Sequence, residues 1–306
     1  MLSAFSHSNF WYFIPALFLM FFSHWLRAVR WRFLLQPIAR IDTGVLFSSL
    51  LIGYMANTFL PAHLGEFLRA MILSKKRPVP AGSVFGTIVT ERIIDVFTLL
   101  LLMVVSIVIF PFPEIVRKSG YVTFAGIMVL FVFLLMIKRY RTAGLSVVGK
   151  VTGFLPHSVQ SKLTHLIQSF LDGIVGLKSW SHYVIVTVLS ILIWTCYVFI
   201  FQLAFYAFDF VNLYSLPWYA SLVLLVITTI SILIPSSPGY VGTYHFLCQF
   251  ALGLFSVPES PALSYAFVVH GINFIPILIV GLILYSAQNI RVGNLKTPVP
   301  SDIKPD

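Results

Sequence analysis

Val89-Thr90-Glu91-Arg92-Ile93-Ile94-Asp95-Val96 sets three charges inside one apolar run, and about a dozen apolar residues then follow, up to Phe110. Arg92 is the only one of the 20 Lys and Arg residues that falls within a long apolar run. A charge at bilayer depth costs several kcal/mol, so such residues are rare, paired, and by default candidates for a substrate or ion pathway. The stretch therefore reads as part of a membrane protein that handles something charged within the bilayer.

The rest of the chain agrees. Hydrophobic residues make up 58% of it, charged residues 10%, and the mean hydropathy is +0.94. A soluble domain carries roughly 25% charged residues. The apolar runs are roughly 10–26, 44–60, 84–110, 121–137, 182–208, 216–234, 244–255 and 261–286. Several are long enough to cross a hydrocarbon core of ~30 Å. They are continuous rather than alternating, which argues against a β-barrel. An all-α, polytopic helical bundle is expected, as a single transmembrane domain over 1–290 with a disordered tail over 291–306. No segment is long and polar enough for a soluble catalytic domain. The N-terminus has neither a basic n-region nor a cleavage site, so no removable signal peptide is expected.

The net charge of +10 is read as Lys and Arg facing anionic lipid on the cytoplasmic side, not as a nucleic-acid footprint. Cys196 and Cys248 lie in apolar runs and suggest no disulfide framework.

Two runs are short for spans: 44–60, which leads into Asn57, Pro61, Gly65 and Glu66, and 244–255. With eight plain spans, the loop Lys and Arg divide 13 inside and 6 outside. If 44–80 dips in and returns to the same side, they divide 17 and 2, with the N-terminus outside. The positive-inside rule favours the second arrangement and a cytoplasmic C-terminus. Segment 216–256 then forms a second hairpin, entered from the outside. The result is about five full spans plus two re-entrant hairpins, against eight plain spans as the alternative. Two broken hairpins from opposite faces match the inverted repeats of transporters, although the two halves share no evident sequence similarity. Residues 159–177 are apolar at helical spacing on one face and predict an amphipathic helix on the cytoplasmic surface.

Three constellations carry candidate chemistry. Glu91, Arg92 and Asp95 can share one helix face. They form either a structural ion pair or an anion site in which Arg92 takes a phosphate. Two acids beside one buried base leave excess negative charge, to be balanced by a cation, a proton or Arg69. The second is Asn57 to Arg69. Pro61 and Gly65 break regular helix, a new helix starts near Gly65 with free N–H groups suited to an anion, and Glu66 and Arg69 share a face. Its alternative is an interfacial loop with charges among headgroups. The third is Pro235-Ser236-Ser237-Pro238-Gly239-Tyr240-Val241-Gly242-Thr243-Tyr244-His245, an uncharged re-entrant tip or an ordinary loop.

Trp25, Arg27, Arg30, Trp31 and Arg32 read as an aromatic and basic interface anchor, with lipid-phosphate contact as the lesser reading, and His270 and Asn273 as helix–helix hydrogen-bonding groups rather than ligands. The candidate substrate-binding residues are thus Arg92, Arg69, Glu66, Glu91, Asp95, Asn57, Gly239, Gly242 and His245. The chain contains no nucleophile elbow, zinc-binding motif, P-loop or dinucleotide fingerprint, so no catalytic residue, metal or cofactor is expected.

On these residues the chain resembles the lysylphosphatidylglycerol synthase transmembrane-region family, also called the flippase-like or uncharacterised 0104 membrane proteins. The resemblance covers roughly 10–290. It rests on Arg27 to Trp31, Asn57…Pro61…Gly65-Glu66…Arg69, Glu91-Arg92…Asp95 and Pro238-Gly239…Gly242. In the best-understood members such a domain moves an aminoacylated phospholipid between leaflets and a separate soluble domain attaches the amino acid, so the resemblance implies a domain that moves a phospholipid or other phosphate-bearing lipid across a prokaryotic plasma membrane, without the soluble synthase domain. A membrane lipid is the implied substrate, and a separate lipid-modifying enzyme the implied partner. Many members carry a Glu shortly after the last glycine, where this chain has Thr243, Tyr244 and His245. The readings set beside translocation are an intramembrane enzyme acting on a lipid headgroup and a scaffold.

Overall fold

The computed structural model describes residues 9–60, 63–112, 179–233 and 238–288, with isolated residues and short pieces between 114 and 132. The run 121–137 is therefore described only in part. The amphipathic helix at 159–177, the tail and Pro235-Ser236-Ser237 lie outside the described residues. Every regular element among those described is helical.

The helices are α1 (Phe13–Leu35), α2 (Thr43–Phe59), α3 (Leu64–Lys76), α4 (Ala81–Ile109), α5 (Trp180–Ala207), the single turn α6 (Phe210–Leu213), α7 (Ala220–Leu233), α8 (Thr243–Gly253) and α9 (Glu259–Ala287). Four are long and apolar enough to cross a membrane: α1 with its leading 3₁₀ turn, α4, α5 and α9. At 1.5 Å per residue, α2, α3, α7 and α8 reach only ~16–25 Å, less than the ~30 Å of a hydrocarbon core.

The contacts between helix ends set two faces. On one, Asn9 N–H donates to the Ala207 carbonyl at 2.8 Å, which joins the start of α1 to the end of α5. On the other, Gln36 after α1 meets His182 at the start of α5 at 2.8 Å, so these helices run antiparallel. Arg77 and Asp42, 3.5 Å apart, bring both ends of the α2–α3 hairpin to this second face. Phe110, at the end of α4, packs against Tyr219 and Phe255 at the two roots of the α7–α8 hairpin, on the first face. The hairpins therefore enter from opposite faces. Their tips meet inside the bundle, where the Tyr240 hydroxyl lies 3.4 Å from His63 Nδ1.

Each hairpin turns differently. In the first, α2 stops at Phe59, before Pro61, and His63 takes a left-handed φ of 57° to start α3. Its legs cross closely because Gly53 and Gly65 face one another. A Cβ on Gly65 would run into the Gly53 carbonyl. In the second hairpin Gly239 and Gly242 supply φ of 68° and 93°, which β-carbon-bearing residues adopt only with strain.

Two apolar cores result. One surrounds Trp31, Leu35, Leu73 and Val84 at the root of the first hairpin. The other surrounds Phe205, Phe208, Phe210 and Tyr265 at the root of the second. The polar layer lies between them.

One boundary differs from the sequence reading. The first helix runs to Leu35, not 26, because Leu26, Ala28, Trp31, Leu34 and Leu35 continue its buried stripe. Arg27 and Arg30 are therefore helix charges and not loop charges, and the loop count separates the two topologies less sharply. The hairpin arrangement rests instead on the end-to-end contacts above.

Candidate functional site

Helix spacing builds the polar layer. Arg27 and Arg30 are three apart on α1, and Glu91 and Asp95 four apart on α4, so each pair occupies one face. The two faces meet. Arg27 Nη1 donates to Asp95 Oδ2 at 2.7 Å and to Glu91 Oε1 at 3.3 Å. Arg30 Nη2 donates to Asp95 Oδ1 at 2.7 Å, and its Nη1 to Ser190 Oγ on α5 at 2.9 Å. From the first hairpin, Arg69 Nη2 donates to Glu91 Oε2 at 2.9 Å. Its guanidinium stacks on the Trp31 ring, 3.6 Å from the centroid, and Trp31 is held in turn by Thr87 Oγ1 at 2.9 Å. Arg27 Nε donates to the Tyr197 hydroxyl at 2.7 Å.

Burial divides these charges into two sets. Glu91 and Arg30 are 0% exposed, Arg69 1%, Arg27 6% and Asp95 7%. The Arg92 side chain is 33% exposed. Arg92 turns away from Glu91, pairs with Glu66 of α3 (Nε–Oε1 2.6 Å), and stands 3.9 Å from Asp95.

Beside Arg92 opens a cavity of about 310 Å³, walled by α1, α2, α4, α5, α7, α9 and both hairpin tips. One part of its wall is polar, with Arg27, Tyr54, Asn57, His63, Arg92 and Asp95. Another is apolar, with Leu99, Ile200, Phe201, Leu225, Phe274 and Ile277. Charged, neutral polar and apolar groups thus line one chamber, most of whose surface is apolar.

The sequence candidates therefore separate. Arg92, Asp95 and Asn57 line the cavity. Glu66 reaches it through Arg92, while Glu91 and Arg69 stand behind the wall as an ion-paired support. Gly239, Gly242 and His245 are not wall residues. The glycines shape the tip that presents Tyr240 and Tyr244, and Gly242 N–H donates to His245 Nδ1 at 3.2 Å. His270, also on the wall, has Nδ1 3.4 Å from His245 Nε2 and so links α9 to α8.

Three expectations are corrected. Arg27 and Arg30 are not an interface anchor: both are buried against the carboxylates, and only Trp25 of that group faces outward, with Arg32. The local charge is not in acidic excess, since four guanidiniums (Arg27, Arg30, Arg69 and Arg92) meet three carboxylates (Glu66, Glu91 and Asp95). The start of α3 is not an open anion site. Asn57 Oδ1 accepts from Gly65 N–H at 2.7 Å, and Glu66 N–H donates to the His63 carbonyl at 2.9 Å.

Sequence reasoning missed the aromatic wall at Tyr54, Trp194 and Tyr197, which joins Tyr240 and Tyr244 of the third constellation. It also missed Arg27 and Arg30. Their i, i+3 spacing, complementary to the i, i+4 carboxylates on α4, was the available signal.

Comparison with known proteins agrees with this architecture. The family of the lysylphosphatidylglycerol synthase TM region matches residues 1–281, and the chain belongs to that family. A UPF0104 membrane protein from Methanocaldococcus jannaschii is 22% identical over 290 residues, covering 89% of this chain and 83% of that protein. A 75-residue segment is 31% identical to the glycosyltransferase AglD from Haloferax volcanii, covering 24% of this chain and 12% of that protein. No solved structure matches. The chain is a multi-pass membrane protein.

Proposed function

From that membership and the geometry of the polar layer, we propose that the protein is a lipid translocase, not an enzyme, moving a phosphate-bearing lipid between the leaflets of the cell membrane. The observation that carries this reading is Arg92: an arginine with a third of its side chain exposed, on the wall of a mostly apolar cavity where two opposed hairpins meet. Guanidinium matches phosphate geometry and binds it through paired hydrogen bonds. In the empty site Glu66 holds Arg92. An arriving phosphate displaces Glu66, and the tails stay in lipid. Glu91, Arg27, Arg30 and Arg69 keep α1, α3 and α4 registered around the site. A bundle whose two hairpins meet at their tips is suited to rocking around a central site. The face bearing Arg40, Lys75, Lys76 and Arg77 is the cytoplasmic one by the charge rule, and α9 then delivers the C-terminus there. A separate enzyme would make the lipid.

The test is headgroup transfer in proteoliposomes. Arg92→Ala should abolish transfer of a labelled phospholipid while the protein still inserts. Unchanged transfer would remove Arg92 from the mechanism. A loss of stability alone would favour a scaffold.

The segment similar to a glycosyltransferase favours a second reading, an enzyme acting on a lipid headgroup. Lipid mass spectrometry of a deletion strain separates them. A missing lipid species supports the enzyme, and an unchanged inventory with altered leaflet distribution supports translocation.

A further inference from the structure

We infer that the protein carries a proton on Glu66 together with each phosphate-bearing lipid, so that the phosphate crosses without moving net charge. This rests on the translocase reading and adds a second cargo to it. It depends on the phosphate alone and not on what esterifies it.

The ion pairs single out Glu66. Glu91 meets three guanidiniums, those of Arg27, Arg30 and Arg69. Asp95 is held at 2.7 Å by both Arg27 and Arg30. Glu66 has one ion-pair partner among the described residues, Arg92 at 2.6 Å. It is also the most open of the three carboxylates, with 14% of its side chain exposed against 0% for Glu91 and 9% for Asp95.

A phosphate that takes Arg92 leaves Glu91 and Asp95 paired and strips Glu66 of its partner. The groups around Glu66 supply no replacement. Arg92 comes from α4, with Glu91 and Asp95 behind it. Tyr54 of α2 lies against Arg92, and Tyr240 of the second hairpin stands in the field of both Glu66 and Arg92. Of its own arm, Arg69 is committed to Glu91, and His63 balances a carboxylate only by gaining a proton, which is the same uptake. A carboxylate at membrane depth, beside an incoming anion and without a counter-charge, is disfavoured in its charged form. A proton therefore takes the place of Arg92.

The exchange keeps the charge of the site constant. Empty, it holds four guanidiniums against three carboxylates, one positive charge in excess. Loaded, one phosphate charge replaces the one that Glu66 has lost, and the excess is unchanged. A site of constant charge does no work against the membrane potential, whereas one elementary charge crossing it does.

His63 offers the proton a route. It lies on the cavity wall, and its carbonyl accepts from Glu66 N–H at 2.9 Å, so imidazole and carboxylate leave the same turn. Imidazole both gives and takes a proton. On loading, a proton from water passes through His63 to a Glu66 carboxylate oxygen as the Glu66–Arg92 pair opens and the phosphate–Arg92 pair forms. On release at the other face the phosphate leaves, the Glu66 O–H bond breaks, the proton returns to water and the Glu66–Arg92 pair re-forms.

The experiment uses the full chain in proteoliposomes with a trace of tail-labelled phosphatidylglycerol, which carries one negative charge, and protein-free vesicles as the baseline. A pH difference of one unit should gather the lipid about tenfold in the leaflet facing the alkaline side, as one proton per lipid requires. A potential of about 60 mV, worth the same tenfold for one charge, should leave its distribution within about twofold. Glu66→Gln should invert this pattern, following the potential and ignoring the pH difference. The wild-type readings suffice if that variant does not insert. A wild-type distribution that follows the potential, or ignores the pH difference while lipid still crosses, overturns the proton and leaves the translocase standing. An undiminished pH response in Glu66→Gln overturns Glu66 as the carrier. If no lipid crosses, the translocase reading fails by itself. Calorimetric titration of the detergent-solubilised protein with short-chain phosphatidylglycerol, in buffers of different ionisation enthalpy, then decides. Uptake of about one proton by the wild type and none by Glu66→Gln upholds the exchange at Glu66. Equal uptake in both, no uptake in either, or no binding overturns it.

Discussion

The two hairpins share a shape and divide the chemistry. The first, α2–α3, carries Glu66 and Arg69, tied by ion pairs of 2.6 and 2.9 Å to α4. The second, α7–α8, has no Asp, Glu, Lys or Arg anywhere between Asp209 and Glu259, and presents Tyr240 and Tyr244 to the cavity instead. The first is fastened by charge and by helices pressed together at Gly53 and Gly65. The second is fastened by apolar packing around Phe205, Phe210 and Tyr265. The cavity between two such arms takes its charged wall residues, Arg27, Arg92 and Asp95, from α1 and α4, braced by the first arm, and takes neutral polar groups from both arms.

The comparison breaks first on topology. Cysteines placed at Lys75, by the root of the first hairpin, and at Glu259, by the root of the second, should be labelled from opposite sides of the membrane. An impermeant maleimide on intact and permeabilised cells reads this as all or none, and same-side labelling would remove the opposed arrangement. Next in size is Glu91→Gln. It leaves Arg27, Arg30 and Arg69 around a neutral amide, and breaking a buried pair of this kind costs about 3–5 kcal/mol. Thermal unfolding should show a large fall in Tm. No fall would mean that the first hairpin is not held by charge.

The tips sharpen the contrast. Gly65→Ala forces a methyl against the Gly53 carbonyl and should cost about 1–3 kcal/mol, the usual range for overpacking. Gly242→Ala meets nothing within 4 Å but must hold φ at 93°, and should cost about 1–2 kcal/mol from backbone strain. A reversed order in Tm would show that the second tip, not the first, is the tightly packed one. The smallest effect is expected at Tyr240→Phe, about 1 kcal/mol or less for a hydroxyl contact of 3.4 Å.

Much of this was legible before any coordinates. Continuous apolar runs specify a helical membrane bundle, and the short runs flanked by Pro and Gly specify broken hairpins. Both follow from local sequence, because lipid leaves a backbone few choices. Glu91, Arg92 and Asp95 were legible as a buried polar cluster because charge in an apolar run needs a reason. Their partners were harder. Arg27 and Arg30 sit near the end of an apolar run, where a snorkelling arginine and a buried one look alike. Only the approach of α4, 64 residues further along for the Arg27–Glu91 pair, makes them interior. The aromatic wall was illegible for a related reason. Tyr54, Trp194 and Tyr197 lie in ordinary apolar runs, and their facing a cavity depends on how five or more helices assemble.

The crossing of Gly53 and Gly65 has a mechanical consequence. Two legs with no room for a methyl between them cannot shear past one another, so the first hairpin behaves as one stiff finger rather than two sliding rods. In the translocase proposed above, a gap for a headgroup would then open where His63 faces Tyr240, with the uncharged arm the one to swing.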